Sequence, residues 1–223
     1  RYTPIQYVPD EMKEKLAKEL EKKTGVKFGL LVGRQANVSK FMRRMLVRRF
    51  ESSVAAFRAS LIYMIQSSEN ILHWVEKRKK MPIYKKGNLP EIEDLYSISD
   101  DNMDNVEETL EKYTEQGFFE IDMKYISDQF LKDVEADIAL LKAIQEKWFG
   151  KNKIIQSDPK LASFKKILTQ QLHTDPKRKL IVFTEFADTA NYIGKQLKEE
   201  GFPVFKYTSA DASIENKDLI RAN

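Results

Sequence analysis

The 223-residue sequence contains no cysteine. This absence excludes disulfide frameworks, cysteine zinc sites and thiol nucleophiles. Glycine and proline are scarce, at 8 and 7 residues, which argues against a loop-rich β protein. No run of about 18 uncharged apolar residues occurs, so the sequence predicts no membrane-spanning helix. The N-terminus shows neither an initiator Met nor the pattern of a signal peptide. We therefore expect the middle of a longer protein, or a processed or cloned piece, with the cytoplasm as the default location.

Charge is unevenly distributed along the chain, although the net charge is only +4. Residues 34–50 carry six basic side chains and no acid, whereas residues 91–122 carry twelve acids against the single base Lys112. A basic helix combined with an acidic insertion fits a protein that meets nucleic acid on one face and avoids it on another. The alternative is that both segments are solvated helix faces.

The first 155 residues have the spacing of long helices. The first helix is predicted from residue 10, which could cap it, to about Lys23, with a stop at Thr24-Gly25. A second, with Ser39 as its N-cap, runs towards residue 80 and bends or restarts at residues 51–53. A third begins at Ser127 or Asp128, ends at Gly150 and is expected to pair antiparallel with the second. Between them, 81–100 is predicted as a loop and 101–116 as a short acidic helix or a disordered segment.

The pattern changes after Asp158-Pro159. A helix over 160–172 is followed by the apolar run 180–183, which predicts a strand buried on both faces. A helix over 187–200, a second strand over 204–207 and a last helix from Ser213 complete a βαβ pattern with parallel strands. The predicted fold class is α+α/β: a long-helix bridge over 1–155, with the acidic insertion near 91–122, and a truncated parallel α/β lobe over 156–223.

Several kinds of chemistry are missing from the sequence. It contains neither a GxxxxGK[ST] phosphate loop nor a Walker B Asp-Glu pair after an apolar strand. His73 and His173 are isolated, which disfavours a histidine metal cluster or a catalytic triad. We therefore assign no catalytic residue and no metal ligand.

The loop after residue 183 is the strongest candidate site. Ligands of parallel α/β sheets bind where strands end, and free N–H groups at the start of a helix suit a phosphate oxygen. Asp188 or Thr189 is predicted to cap that helix. The alternative is an ordinary βα loop.

Two segments carry a family resemblance. The stretch DPKLASFKKIL, together with KLIVFTEFADTANYIGKQLKEEGFPVFKYTSADASIENKDLI, resembles the opening of the second RecA-like lobe of superfamily-2 helicases and Swi/Snf-like ATPases. VFTEF looks like motif IV of that family, which implies a place beside the nucleic-acid track for Thr184, Glu185, Phe186, Asp188 and Thr189. Lys217 matches a basic position before a later helix.

Upstream, SKFMRRMLVRRFESSVAAF resembles the stretch that follows the first lobe in this family. Arg48 and Arg49 would be its paired arginines, and together with Arg43 and Arg44 they are expected to contact DNA or a motor lobe. A local structural role, in which neighbouring acids pair with them, is the alternative. The helix that ends near Trp148, followed by DPK, is similar to the helical bridge of bacterial members, including those with phospholipase-D-like N-terminal domains.

The resemblance implies that the parent protein is an ATP-dependent DNA helicase or translocase that uses ATP and Mg²⁺. This chain would supply the helical linker and part of the DNA-facing lobe, and bind neither cofactor itself, because the phosphate loop, the DEAH-type box and motifs V and VI are absent. The implied partners are double-stranded DNA, the first RecA-like lobe and the rest of the second lobe, with a dimer expected for the isolated chain. Alternatives are a non-enzymatic helical protein-interaction module and a regulatory domain of another nucleotide enzyme.

Overall fold

The computed structural model describes residues 3–25, 27–84 and 118–211. The helices are α1 (Asp10–Thr24), α2 (Phe28–Ser52), α3 (Val54–Arg78), α4 (Gln129–Phe149), α5 (Pro159–Thr174) and α6 (Ala187–Glu199). Two strands, β1 (Lys80–Tyr84) and β2 (Phe118–Asp122), and short 3-10 turns at Pro4–Tyr7, Met123–Tyr125 and Ser209–Asp211 complete the described elements. The protein is thus mostly helical, as predicted. No helix among the described residues has the length and apolar character needed to cross a membrane.

The chain divides into two compact units. The first unit comprises Arg1–Met45 and Leu61–Ile144, and the second comprises Leu46–Ser60 and Gln145–Asn223. Helices α2, α3 and α4 therefore each contribute residues to both units.

Helix α1 ends where the sequence predicts. Gly25 follows it in the left-handed conformation, at φ 66°, and its N–H donates to the Glu21 carbonyl. Glycine adopts this conformation without the steric cost that a Cβ would add. The cap prediction is wrong at the other end, because Asp10 lies inside the first turn and its carboxylate pairs with Lys13 instead.

Helix α2 begins earlier than predicted, at Phe28, so the assignment of Ser39 as an N-cap is wrong. Residues 28–38 stay helical although Gly29 and Gly33 each cost about 1 kcal/mol in a helix interior. Leu31, only 2% exposed, is buried in the core of the first unit, and its burial helps to offset that cost. The predicted restart near residues 51–53 is confirmed, because α2 ends at Ser52 and α3 starts at Val54.

The two strands form an antiparallel pair in which Met81 lies opposite Ile121 and Ile83 opposite Phe119. All four side chains are buried, so this face of the ribbon belongs to the core. The loop predicted over 81–100 is therefore wrong for residues 81–84. Pro82 is tolerated because a two-stranded ribbon has free edges. The acidic segment 91–117, including the helix predicted over 101–116, lies outside the described residues.

A single apolar cluster fills the first unit. It combines residues from the N-terminal turn, α1 to α4 and the ribbon: Ile5, Val8, Leu16, Leu20, Leu31, Ile71, Val75, Met81, Ile83, Phe119, Ile121, Tyr125, Ile126, Phe130, Val134 and Ile138. Helix α4 contributes Phe130, Val134 and Ile138 to this cluster, at the spacing of one helix face. Within this unit α3 and α4 are also joined by an ion pair, with Lys142 Nζ 2.6 Å from Glu69 Oε1.

The second unit has a smaller apolar centre, made of aromatic rings. Phe57 contacts Phe50, Trp148 and Phe149 with ring centroids 5.0, 5.7 and 6.3 Å away. Phe149 is fully buried, whereas Trp148 is 45% exposed. Helices α5 and α6 confirm the two helices predicted in this region, and Asp158 caps α5 by accepting from the Leu161 N–H at 2.9 Å.

The predicted buried strands are the main error. Residues 180–183 and 204–207 belong to no ladder among the described residues, and Ile181 and Phe183 are 79% and 90% exposed. A parallel strand becomes buried only when neighbouring strands and helices cover both of its faces, and described residues provide no such sheet here. The parallel α/β lobe is therefore not formed by the described residues. The helix predicted from Ser213 lies outside them.

Candidate functional site

The loop predicted as a binding site meets the end of α2 and the start of α3 within the second unit. We call this cluster the junction site: Arg48, Arg49, Ser52, Ser53, Thr184, Glu185, Phe186, Asp188 and Thr189. The break between α2 and α3 builds one side of it. Ser53 lies between the two helices, and its Oγ accepts from the Ala56 N–H at 3.0 Å, which caps the start of α3.

Arg49 is the central residue of the junction site. Its guanidinium pairs with the Asp188 carboxylate, and its Nε donates to Ser60 Oγ at 2.5 Å and to the Ala56 carbonyl at 3.3 Å. The guanidinium carbon lies 5.0 Å from the centre of the Phe186 ring, in a cation–π contact. Only 19% of this side chain is exposed. Arg49 therefore ties α3 to the start of α6 through charge, hydrogen bonds and ring contact together.

Arg48 makes a simpler contact. One of its terminal nitrogens lies 2.9 Å from Glu185 Oε2, and both side chains are more than half exposed. Consecutive residues on a helix point about 100° apart. The two neighbouring arginines therefore reach different carboxylates, an exposed one in the loop before α6 and a half-buried one in the first turn of α6.

A group of hydroxyls fills the space beside the arginines. Thr189, only 3% exposed, places its Oγ1 2.8 Å from both Ser52 Oγ and Ser53 Oγ. Thr184 Oγ1 lies 3.4 Å from Ser52 Oγ and accepts weakly from the Phe186 N–H. These hydrogen bonds satisfy the hydroxyl of the buried Thr189, whose burial without a partner would cost stability.

The capping role predicted for Asp188 or Thr189 is wrong. Phe186 occupies the N-cap position of α6, and no side chain caps the helix there. Both predicted side chains lie in the first turn and bond instead to α2 and the α2–α3 break. Asp188 still suits its place, because a carboxylate in the first turn is stabilised by the helix dipole.

Lys160 adds a contact that sequence reasoning missed. Its Nζ donates to the carbonyls of Glu51 and Ser52 at 2.6 and 2.9 Å, so α5 supplies a cation to the end of α2. Sequence reasoning likewise did not show that Ser60 accepts from Arg49, or that Ser52 and Ser53 both bond to Thr189. The Ser-Ser pair at the helix break was the available signal for the two serines, whereas nothing near Lys160 in the sequence points to α2.

The remaining predicted site residues lie elsewhere. Arg43 and Arg44 belong to the part of α2 assigned to the first unit, both are exposed, and no carboxylate of the described residues pairs with either. Lys217 lies outside the described residues. The structure thus brings together seven of the ten predicted residues: Arg48, Arg49, Thr184, Glu185, Phe186, Asp188 and Thr189.

The junction site suits binding and coupling better than catalysis. Its two guanidinium groups are matched by two carboxylates, and its hydroxyls bond mainly to one another. No histidine lies in it, so the hydroxyls lack the adjacent base that would activate a nucleophile. In the part of the chain that the structure describes, no group of His, Asp and Glu side chains is placed to hold a metal ion. The junction residues do not fit ATP–Mg²⁺ either, since both cations face carboxylates and no phosphate loop is present.

Compared with known proteins, the chain matches no family model, no curated protein and no solved structure. The resemblance to superfamily-2 helicases and Swi/Snf-like ATPases therefore stays a prediction.

Proposed function

We propose that this chain is part of an ATP-dependent DNA translocase or helicase, in which it links two motor lobes and supplies part of the DNA-facing side. One observation carries the proposal. Arg48 and Arg49, which resemble the post-lobe arginine pair, bond to Glu185 in the stretch that resembles motif IV and to Asp188 just after it. These two segments lie more than a hundred residues apart in the sequence, and the family resemblance includes both of them.

The contact divides the basic residues into two roles. Arg48 and Arg49 couple the linker helix to the lobe, because their charges are already matched by carboxylates of the loop. Arg43 and Arg44 are the DNA contacts, since they are exposed and pair with no described carboxylate. A cation with no protein partner gains most from a phosphate, whereas a paired one must first give up its carboxylate.

The same proposal includes the finer fold. Residues 180–183 and 204–207 would become parallel strands of a RecA-like lobe, joined by α6. Lys206 favours this arrangement, because its Nζ donates to Asn191 Oδ1 at 2.9 Å and its side chain packs beside Gly194 of α6. Parent-protein ATP and Mg²⁺ would bind at residues outside this chain.

The test is DNA binding by this chain across a salt series, with a fluorescently labelled duplex and anisotropy as the readout. Each phosphate contact contributes about 0.9 to the slope of log K against log salt. The variant R43A/R44A should therefore lose affinity and lower that slope by up to about 1.8.

Two matched variants make the result specific. K15A/K22A removes the same charge from exposed positions of α1 and should leave the slope nearly unchanged. R48A removes a carboxylate-paired cation and should also leave it nearly unchanged. If R48A lowers the slope as much as R43A/R44A does, the division of roles is wrong. If the unmodified chain shows no salt-dependent binding, the DNA proposal fails and the interaction-module alternative gains support.

A further inference from the structure

Two aromatic side chains of the second unit stay nearly half-exposed although they pack against a buried ring. Phe50 and Trp148 are 43% and 45% exposed, and their ring centroids lie 5.2 Å apart with the planes at 81°. Both also contact Phe57, which is only 8% exposed, at 5.0 and 5.7 Å. A ring that is already held by its neighbours loses little conformational entropy when a ligand binds it. Phe50 and Trp148 therefore form a rigid aromatic surface that is open to solvent.

Three lysines adjoin Trp148 at the C-terminal end of α4. Lys147 precedes the tryptophan, and Lys151 and Lys153 follow it in the turn after Gly150. All three lysines are exposed, and none pairs with a carboxylate of the described residues. The helix dipole favours a cation in the last turn, which accounts for Lys147 but not for the two lysines beyond the end of the helix.

The turn after α4 holds these lysines close to the aromatic surface. The Lys153 N–H donates to the Gly150 carbonyl at 3.0 Å, and the Ile154 N–H donates to the Phe149 carbonyl at 3.1 Å. Lys153 has a positive φ of 54°, a conformation that its Cβ makes unfavourable. Its side chain makes no ion pair with a described residue that would offset this cost. The turn thus presents an exposed cation from a strained position next to Trp148 in the fold.

We propose that Phe50, Trp148, Lys147, Lys151 and Lys153 form a binding site for single-stranded nucleic acid. Exposed aromatic rings stack on unpaired bases, and nearby cations neutralise the backbone phosphates. The nearly perpendicular rings suit a planar base, because a base that stacks on one ring meets the other with its edge. In a duplex the neighbouring base pairs cover the base faces, so the rings cannot stack on them. The inference rests on the proposed function for the class of ligand, and it adds that the parent protein handles an unpaired strand.

The aromatic surface fits a base better than it fits an anionic membrane. Membrane binding by a surface helix depends on a broad apolar face that enters the headgroup region. More than half of each ring is already covered by the protein, which leaves a surface for stacking but not a side chain free to insert. Two exposed acids, Glu51 and Glu146, adjoin the rings in the chain and reduce the positive charge. Binding should therefore be weak, with a salt dependence set by the few lysines.

Fluorescence of Trp148 tests the site directly, because the chain has two tryptophans and W74F leaves Trp148 as the only one. An oligodeoxythymidine of about 12 nucleotides should quench this fluorescence until the site is saturated, since stacking places a base on the indole. A blunt duplex of the same length should quench it several times less. R43A/R44A should leave the quenching at saturation unchanged, so this site and the duplex contacts proposed above can fail separately.

Anisotropy of a labelled oligodeoxythymidine across a salt series separates the rings from the lysines. F50L and W148L keep an apolar side chain but remove the ring, and each should weaken binding by about fivefold or more, whereas W148F should weaken it less. K151A/K153A should lower the slope of log K against log salt by up to about 1.4. The matched variant K166A/K198A removes the same charge from exposed positions of α5 and α6 and should leave the slope nearly unchanged. Circular dichroism melts check that each variant is folded.

Three results would each overturn the proposal. They are the absence of Trp148 quenching by the oligodeoxythymidine, equal quenching by the duplex, and equal salt slopes for K151A/K153A and K166A/K198A. Vesicles of equal parts phosphatidylserine and phosphatidylcholine provide the remaining comparison. A blue shift of Trp148 with these vesicles, without quenching by the oligodeoxythymidine, would replace the nucleic acid with a membrane surface.

Discussion

The two units differ in how they bury their apolar side chains. The first unit gathers sixteen apolar side chains into one cluster, and its two strands pair with each other. The second unit has three aromatic rings around Phe57 and a polar junction, while the apolar segment 180–183 stays exposed. The first unit should therefore fold through its core alone. The second depends in addition on a charged network that joins the end of α2 to the start of α6.

Each unit contains one tryptophan, which allows the comparison to be tested directly. Trp74 lies in the first unit and Trp148 in the second. The background variant W148F therefore reports unfolding of the first unit through Trp74, and W74F reports unfolding of the second through Trp148.

The largest loss of stability is expected from truncating a buried phenylalanine at the centre of either unit. Phe130 in the first and Phe149 in the second are both fully buried, and Phe-to-Ala changes in cores cost about 3 to 5 kcal/mol. F130A should shift the Trp74 transition in urea, and F149A should shift the Trp148 transition. If each substitution moved both transitions equally, the units would unfold as one and the comparison would fail.

A smaller effect is expected at the junction site, where neighbouring arginines differ in burial. R49A removes an ion pair, two hydrogen bonds and a ring contact from a half-buried place, and it should cost the second unit roughly 2 to 3 kcal/mol. R48A removes one exposed ion pair and should cost less than about 1 kcal/mol. Urea unfolding followed by Trp148 in the W74F background measures both. Equal losses would mean that burial of Arg49 contributes nothing.

In the first unit, Glu120 provides a pH-dependent contribution. Burial raises its pKa, but hydrogen bonds from Arg78 and Trp74 and the charge of Lys80 outweigh burial, so the net pKa lies below the ordinary 4.5. Both Trp74 Nε1 and Arg78 Nε donate to Glu120 Oε1, at 2.9 and 2.8 Å. A lowered pKa stabilises the fold above the ordinary pKa, and this stability is lost as pH falls through the folded-state pKa.

The variant E120Q should therefore destabilise the first unit by about 1 to 2 kcal/mol near neutral pH. The difference from the unmodified residue should shrink as pH falls below 4.5. Unfolding of the W148F background, with and without E120Q, measures this through Trp74. A difference that stayed constant down to low pH would show that the Glu120 charge is not what stabilises the ribbon.

The sequence predicts local features of this protein well. Gly25 and Gly150 mark the ends of α1 and α4, and both have positive φ, at 66° and 67°. The Ser52-Ser53 break and the helices α5 and α6 follow from residues close to one another in the chain. Signals of this kind depend on backbone conformation and caps, which a few neighbouring residues decide.

The predictions that proved wrong concern features that depend on residues far away in the sequence. The strand propensity of residues 180–183 is real, but burial of a strand depends on other strands that the run itself does not specify. Ser39 is a residue type that favours N-caps, but the helix begins at Phe28, where the burial of Leu31 in a core built by other elements stabilises the earlier turns. The pairing of Arg48 with Glu185 and of Arg49 with Asp188 was likewise invisible, although the resemblance had named all four residues.

The smallest loss of stability is expected from substituting Tyr192 of α6. This substitution tests whether polar contacts stabilise the second unit, in contrast to the apolar core of the first. Burial, together with the charge and hydrogen bond of Asp158, raises the pKa of Tyr192 from 10.0 to about 12. The fold favours the neutral phenol, so its stabilising contribution is complete below pH 10 and is lost as pH rises from 10 to about 12.

The absorbance difference between the unmodified chain and Y192F should titrate with a midpoint near 12, and Y192F should cost less than about 1.5 kcal/mol near neutral pH. D158N keeps an oxygen that can cap α5 but removes the charge, so the midpoint should fall while staying above 10.0, because burial is the largest cause of the shift. A midpoint near 10.0 in the unmodified chain would mean that Tyr192 is solvated and makes no contact with Asp158.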